Sequence, residues 1–133
     1  MHTTNYFNAF IRVAEDCPVA SAEVPPLKKV KSVANLLFEM MEQHPYLYTS
    51  DDVIFGIHAL RNGLNNNQQE REHFFSKGQP CLRSSPLGKR YGWGVHSNAE
   101  GKVAIYPLGS EEYNRFAADP DLAQTRAMRS KRT

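Results

Sequence analysis

The side chains best suited to chemistry gather between residues 77 and 96. Lys77, Arg83, Lys89 and Arg90 stand there with Tyr91, Trp93 and His96, and Gly92 and Gly94 flank the single tryptophan. Cations beside flat rings suit a carboxylate or a phosphate, with arginine as a two-pronged donor and an aromatic ring as a stacking wall. In a strand, alternation places Tyr91, Trp93 and Val95 on one face and Arg90, Gly92, Gly94 and His96 on the other. Paired glycines weaken a strand, so they point to close approach of another backbone, to a bulge, or to a ligand. The expectation is a shallow, basic, glycine-floored face that binds an anionic small molecule or partner. The structural alternative is a core tryptophan on an ordinary hairpin with solvated charges.

A catalytic reading of the same segment rests on Cys81 and His96. Nearby cations favour a thiolate, and a histidine across the sheet would complete a Cys–His nucleophile. One cysteine and one histidine make no motif, and a buried structural thiol is the favoured reading of Cys81. Gly88-Lys89 is no phosphate-binding P-loop, because Arg83 stands where the upstream glycine belongs and no Ser or Thr follows Lys89. Ser84-Ser85 lacks the G-x-S-x-G frame of a nucleophile elbow. The five histidines show no ligand spacing, and Asp51-Asp52 reads as a helix N-terminus, so no metal site is expected. The sequence leaves open whether the chain is an enzyme and specifies no cofactor.

The net charge of +2 conceals blocks of opposite sign. Residues 1–76 and 103–121 are acidic in balance, whereas 77–102 and the tail from 122 are basic. Such blocks either neutralise each other within one fold or meet an anionic partner. The basic tail, about 126–133, carries Arg126, Arg129, Lys131 and Arg132. Four such charges on duplex phosphates would give a log–log salt slope of about −3.6. No nucleic-acid-binding signature accompanies them, so nucleic acid is not the expected partner. No apolar run is long enough to span a bilayer. Cys17 and Cys81 form no metal-type pair, and the first residues lack a signal-peptide layout, so a reduced, cytoplasmic protein is expected.

With 133 residues, of which 29 are Leu, Ile, Val or Phe, the chain can bury one core, and one domain over 1–133 is expected. The alternation in residues 5–14 predicts an N-terminal strand. Prolines 18, 25 and 26 bracket a loop. Residues 31–44 predict a helix capped by Ser32, with Val33, Leu36, Leu37, Met40 and Met41 on one stripe. Thr49 to Asp52 open a second helix that turns Ile54, Ile57, His58 and Leu60 toward the core and stops at Asn62-Gly63. A third runs from Gln68 to Ser76. Short strands follow at 81–84, 91–96 and 102–106, the last two joined by a hairpin with Gly101 in its turn. A helix to Ala118 and a last helix from Leu122 complete an α+β arrangement: N-terminal strand, helices, an antiparallel three- to four-stranded sheet and a C-terminal helix. A purely structural reading makes this an interaction protein closing an apolar face as a homo-oligomer.

The stretches PYLYTSDDVIF (45–55) and FFSKGQPCLRSSPLGKRYGWGVHSN (74–98), with MHTTNYFN at the start, AEDCPV at 14–19 and AMRSKR at 127–132, resemble a family of small bacterial proteins classed as a domain of unknown function. The resemblance covers nearly the whole chain and implies no catalytic residue. A second, partial resemblance is to YdhG-like α+β domains. It rests on Gly78-x-Pro80-x-x-Arg83, His96 and Tyr106-Pro107 before an acidic helix, and it implies a Gly-x-Pro turn leading into a hairpin.

Overall fold

The computed structural model describes residues 1–130. Strand β1 (Ala9–Arg12) is followed by helices α1 (Val33–Gln43), α2 (Ser50–Asn62) and α3 (Gln68–Phe74), hairpin β2 (Trp93–Ser97) and β3 (Val103–Pro107), helix α4 (Glu111–Ala117) and strand β4 (Ala123–Arg126). The sheet order is β3-β2-β1-β4. The hairpin and the β1–β2 pair are antiparallel, with Ile11 opposite Val95 and Val95 opposite Ile105. Strands β1 and β4 run parallel, so the sheet is mixed.

Both faces of β1 are covered. Ile11, Trp93, Val95, Val103 and Ile105 pack against Leu37 and Met41 of α1 and Val53 and Ile57 of α2. Phe10 turns the other way, onto Tyr113 and Phe116 of α4. Phe10, fully buried, contributes roughly 1.5–3 kcal/mol by leaving water.

The helices start where side-chain oxygens can accept the first free N–H groups. Ser32 with Asn35, and Thr49 with Asp52, form reciprocal capping boxes. Asn67 and Ser110 cap α3 and α4. Gly63 ends α2 in the left-handed conformation that glycine takes without a Cβ penalty. On α2, buried residues are Val53, Phe55, Ile57 and Ala59, while Leu60 is exposed and His58 half-buried against Phe74. Ile57 and the half-buried Ile54 do pack on the main core as expected, while Phe55 and Ala59 are buried on the opposite side of the helix, where α3 packs Phe74 and Phe75 behind α2.

Next to the caps lies a clasp that holds the N-terminal segment. Asp51 is buried and accepts hydrogen bonds from the Thr3 hydroxyl, the Thr4 N–H and the Thr4 hydroxyl, each at 2.7 Å. Since an ionised carboxylate only accepts, the Ser50 hydroxyl donates to Thr4 Oγ1 at 2.8 Å. The Asp51 N–H in turn donates to the Asn5 side chain. Two of the sequence's distinctive stretches, MHTTNYFN and YTSDDV, thus meet in one hydrogen-bonded unit.

Two expected elements are different. Residues from 122 do not form a helix: Ala123–Arg126 is strand β4. Ala, Gln, Arg and Met favour a helix, but the free edge of β1 offers main-chain partners that override this local preference; Ala123 N–H donates to Asn8 O and Ala127 N–H to Arg12 O. The segment at 81–84 is a 3-10 turn, Leu82–Ser84, with Ser84 N–H bonded to Cys81 O. Tyr91 belongs to a π-turn, Leu87–Tyr91, rather than to β2. Of the tail, Ala127 is buried and Met128 N–H donates to Arg83 O. Lys131 and Arg132 lie outside the described residues.

Candidate functional site: a basic cleft at the first turn of α1

The π-turn decides where the basic residues go. Its wider loop, closed by the Gly92 N–H on Leu87 O, presents Lys89, Arg90 and Tyr91 beside the start of α1. Gly92 has φ +81°, and a Cβ there would meet Val19 and Ala22 at 2.9 and 3.0 Å. The 19–23 loop lies on that glycine and is tied down by Glu23 N–H to Tyr91 O, 2.8 Å.

Between the π-turn and α1 opens a cleft of about 330 Å³, lined by Lys28, Ser32, Val33, Ala34, Lys89, Arg90 and Tyr91 together with Pro26, Ser84 and Pro86. Lys28 and Arg90 are exposed, and Lys89 and Tyr91 half-buried. Among the described residues, none of the three cations has an acidic partner. The first turn of α1 carries no acid either, so the partial positive charge of the helix end is uncompensated. Three cations and a helix N-terminus on one concave surface favour an anion.

The other residues of the 77–96 cluster are elsewhere. Lys77 lines a separate hollow with His73 and Phe74. The Arg83 guanidinium donates through Nε to the Arg126 carbonyl at 2.7 Å and fastens the end of β4. Trp93 is a core residue, edge-on to Phe38, with its indole N–H on Glu23 O. Gly94 faces α4 rather than solvent: Phe10 and Tyr113 occupy the space above it. The glycine-floored face is therefore filled by aromatic rings. Lys28 and the start of α1 complete the cleft without having been expected. Their signal was the run Lys28-Lys29-x-Lys31, lost when charge is averaged over an acidic 76-residue block.

Cys81 and His96 are on opposite sides of the sheet. Cys81 borders the α1–α2 side, its sulfur 3.5 Å from the Tyr6 hydroxyl. His96 stacks on Phe116 of the α4 layer at 4.2 Å. The Cys–His nucleophile is not assembled.

His96 belongs instead to a tyrosine network. Tyr46, held at φ +59°, a conformation non-glycine residues adopt only under constraint, places its hydroxyl 2.8 Å from His96 Nδ1 and 2.8 Å from the Tyr106 hydroxyl. Burial, then the Tyr106 contact, pushes the Tyr46 hydroxyl far above its usual range. Burial lowers the His96 pKa, against an opposing pull from Asp119. With its proton on Nε2, a neutral His96 accepts from Tyr46, which then accepts from Tyr106; the other tautomer reverses both bonds. A histidine depressed in the folded state takes up its proton first in the unfolded chain, so stability is full above about pH 6.5 and declines as pH falls from there toward the folded value. Melting curves should show this slope between pH 7 and 5, and His96→Asn should flatten it; an unchanged slope in the variant assigns the titration to another group.

Residues 1–133 match the model of a family described as a family of unknown function, DUF6157. The chain belongs to that family. No curated protein and no solved structure matches it. In this DUF6157 chain, β3 ends in Tyr106-Pro107 before the acidic first turn of α4. Gly78-x-Pro80 leads into the 3-10 turn and π-turn, and not directly into the hairpin. No helix of the described residues is long and apolar enough to cross a membrane, and no group of three or more His, Cys, Asp or Glu among them is arranged to hold a metal.

Proposed function

We propose that this protein is a small cytoplasmic binding module for an anionic ligand, held in the cleft between the first turn of α1 and the π-turn. The observation that carries this reading is the convergence of Lys28, Lys89 and Arg90, without acidic partners among the described residues, on an acid-free helix N-terminus. The Val33 and Ala34 N–H groups, the first of α1, have no acceptor among the described residues and are placed to bind an oxyanion. The two free cysteines accord with a reducing compartment.

The test is an NMR titration with inorganic phosphate at low salt. Phosphate should shift the Val33 and Ala34 amide signals, and the doubly substituted Lys89→Gln, Arg90→Gln chain should bind at least about tenfold more weakly with an unchanged melting temperature. Added salt should weaken binding, since the cations are largely solvent-facing. Equal affinity in the variant, or shifts confined to other residues, would remove the cleft as the site.

A further inference from the structure

The cleft does not end at its basic wall. Val33, Ser84 and Pro86 also line a second, neighbouring hollow of about 160 Å³. Here the walls change character: Leu37, Ile54, Ile57, Pro80 and Leu82 are apolar, and Cys81 is the softest polar group among them. An apolar cavity of about 150 Å³ holds a guest the size of benzene.

We propose that the ligand is an amphiphilic organic anion, its charged group held by Lys28, Lys89 and Arg90 and its short hydrocarbon part seated in the notch between α1, α2 and residues 80–82. This rests on the anion-binding reading of the cleft and adds the ligand's second half. A polar anion alone would leave the notch to water against apolar walls; an apolar guest alone would leave three unpaired cations at its mouth. One molecule with both parts answers both surfaces, and their shared lining keeps head and tail within a single small ligand. At about 160 Å³ the notch has the volume of roughly five waters. That size fits a free solute with a short chain and excludes the full acyl chain of a bilayer lipid.

The experiment compares methyl phosphate with hexyl phosphate on the full chain. Each methylene taken from water is worth roughly fourfold in affinity, so three covered methylenes should make hexyl phosphate about fifty-fold tighter. Cys81 reports the tail: hexyl phosphate should slow its alkylation by iodoacetamide in proportion to occupancy, while Cys17, outside both spaces, reacts at its unliganded rate. Ile54→Phe, which fills the notch, should erase the gain from the hexyl chain and keep methyl phosphate affinity; should that variant not fold, the alkylation of the unaltered protein still decides. Equal affinities with Cys81 unprotected would overturn the amphiphile and leave the anion site standing. If neither phosphate binds, the cleft reading falls and this inference with it. Binding to anionic vesicles without any gain from the hexyl chain would also overturn it, in favour of a lipid surface.

Discussion

Asp51→Ala should destabilise the fold by about 3–4 kcal/mol, a loss of roughly 10–15 °C in melting temperature. The carboxylate accepts three short hydrogen bonds from Thr3 and Thr4, and alanine would leave the buried Thr4 N–H without an acceptor. An unsatisfied buried donor costs its full desolvation, which is why removing one partner exceeds the net worth of the bond. The position also sits in the first turn of α2, where a negative charge is favoured. Asp51→Asn separates shape from charge. Its oxygen can still serve Thr4, and its amide can donate to Thr3 Oγ1, which is exposed and free to turn its own proton to water. That variant should recover more than half of the loss. Thermal or urea denaturation measures both, and equal losses would make the charge rather than the acceptor geometry the source of stability.

Gly94→Ala should cost about 2–3 kcal/mol, and Gly94→Val more, because nothing around the site can yield. A Cβ at this position would sit 2.6 Å from Phe10 Cζ and 2.7 Å from Tyr113 Cε2. Phe10 is fully buried, and the Tyr113 hydroxyl is fixed by the Val13 N–H at 3.0 Å. The two rings meet edge-to-face with centroids 5.0 Å apart, so neither can turn without losing the other. A paired change tests the cause: Phe10→Leu removes the nearer of the two clashing ring atoms, so the Gly94→Ala, Phe10→Leu double variant should be more stable than the sum of the two losses by about 1–2 kcal/mol. Additive losses would assign the clash to Tyr113, whose Cε2 stays 2.7 Å away in both backgrounds. Loss of near-ultraviolet circular dichroism should accompany the single change if α4 lifts from the sheet.

What could be read from the residues was mostly what the residues settle locally. Ser32, Thr49 and Asn67 mark their helix starts because a capping side chain bonds within its own turn. Gly101 marks the hairpin for the same reason, at φ +79°. The strand β4 was illegible because Ala123–Arg126 has no pattern of its own and becomes a strand only through the edge of β1. The π-turn was illegible because its five residues resemble any turn, and it takes Arg90 and Tyr91 out of the strand alternation. Composition therefore pointed to the segment that supplies much of the cleft, but not to Lys28, which faces it from a loop some sixty residues earlier in the chain. Trp93 and His96 were placed on opposite faces by alternation alone, and the structure has them so.

The place of β1 in the sheet constrains how the chain can be made. This strand is synthesised before both of its neighbours: its antiparallel partner comes from residues 93–97 and its parallel partner from 123–126. Until residues 93–97 emerge, Phe10 and Ile11 have no partner on either edge, and until residues 123–126 follow, one edge stays open. Long-range pairings of this kind close large loops before they gain any contact, which slows folding and lengthens exposure to other unpaired strands. The nascent chain is thus most vulnerable to aggregation before its last strand arrives, and a ribosome that stalls short of residue 123 leaves the central strand of the sheet with an open edge.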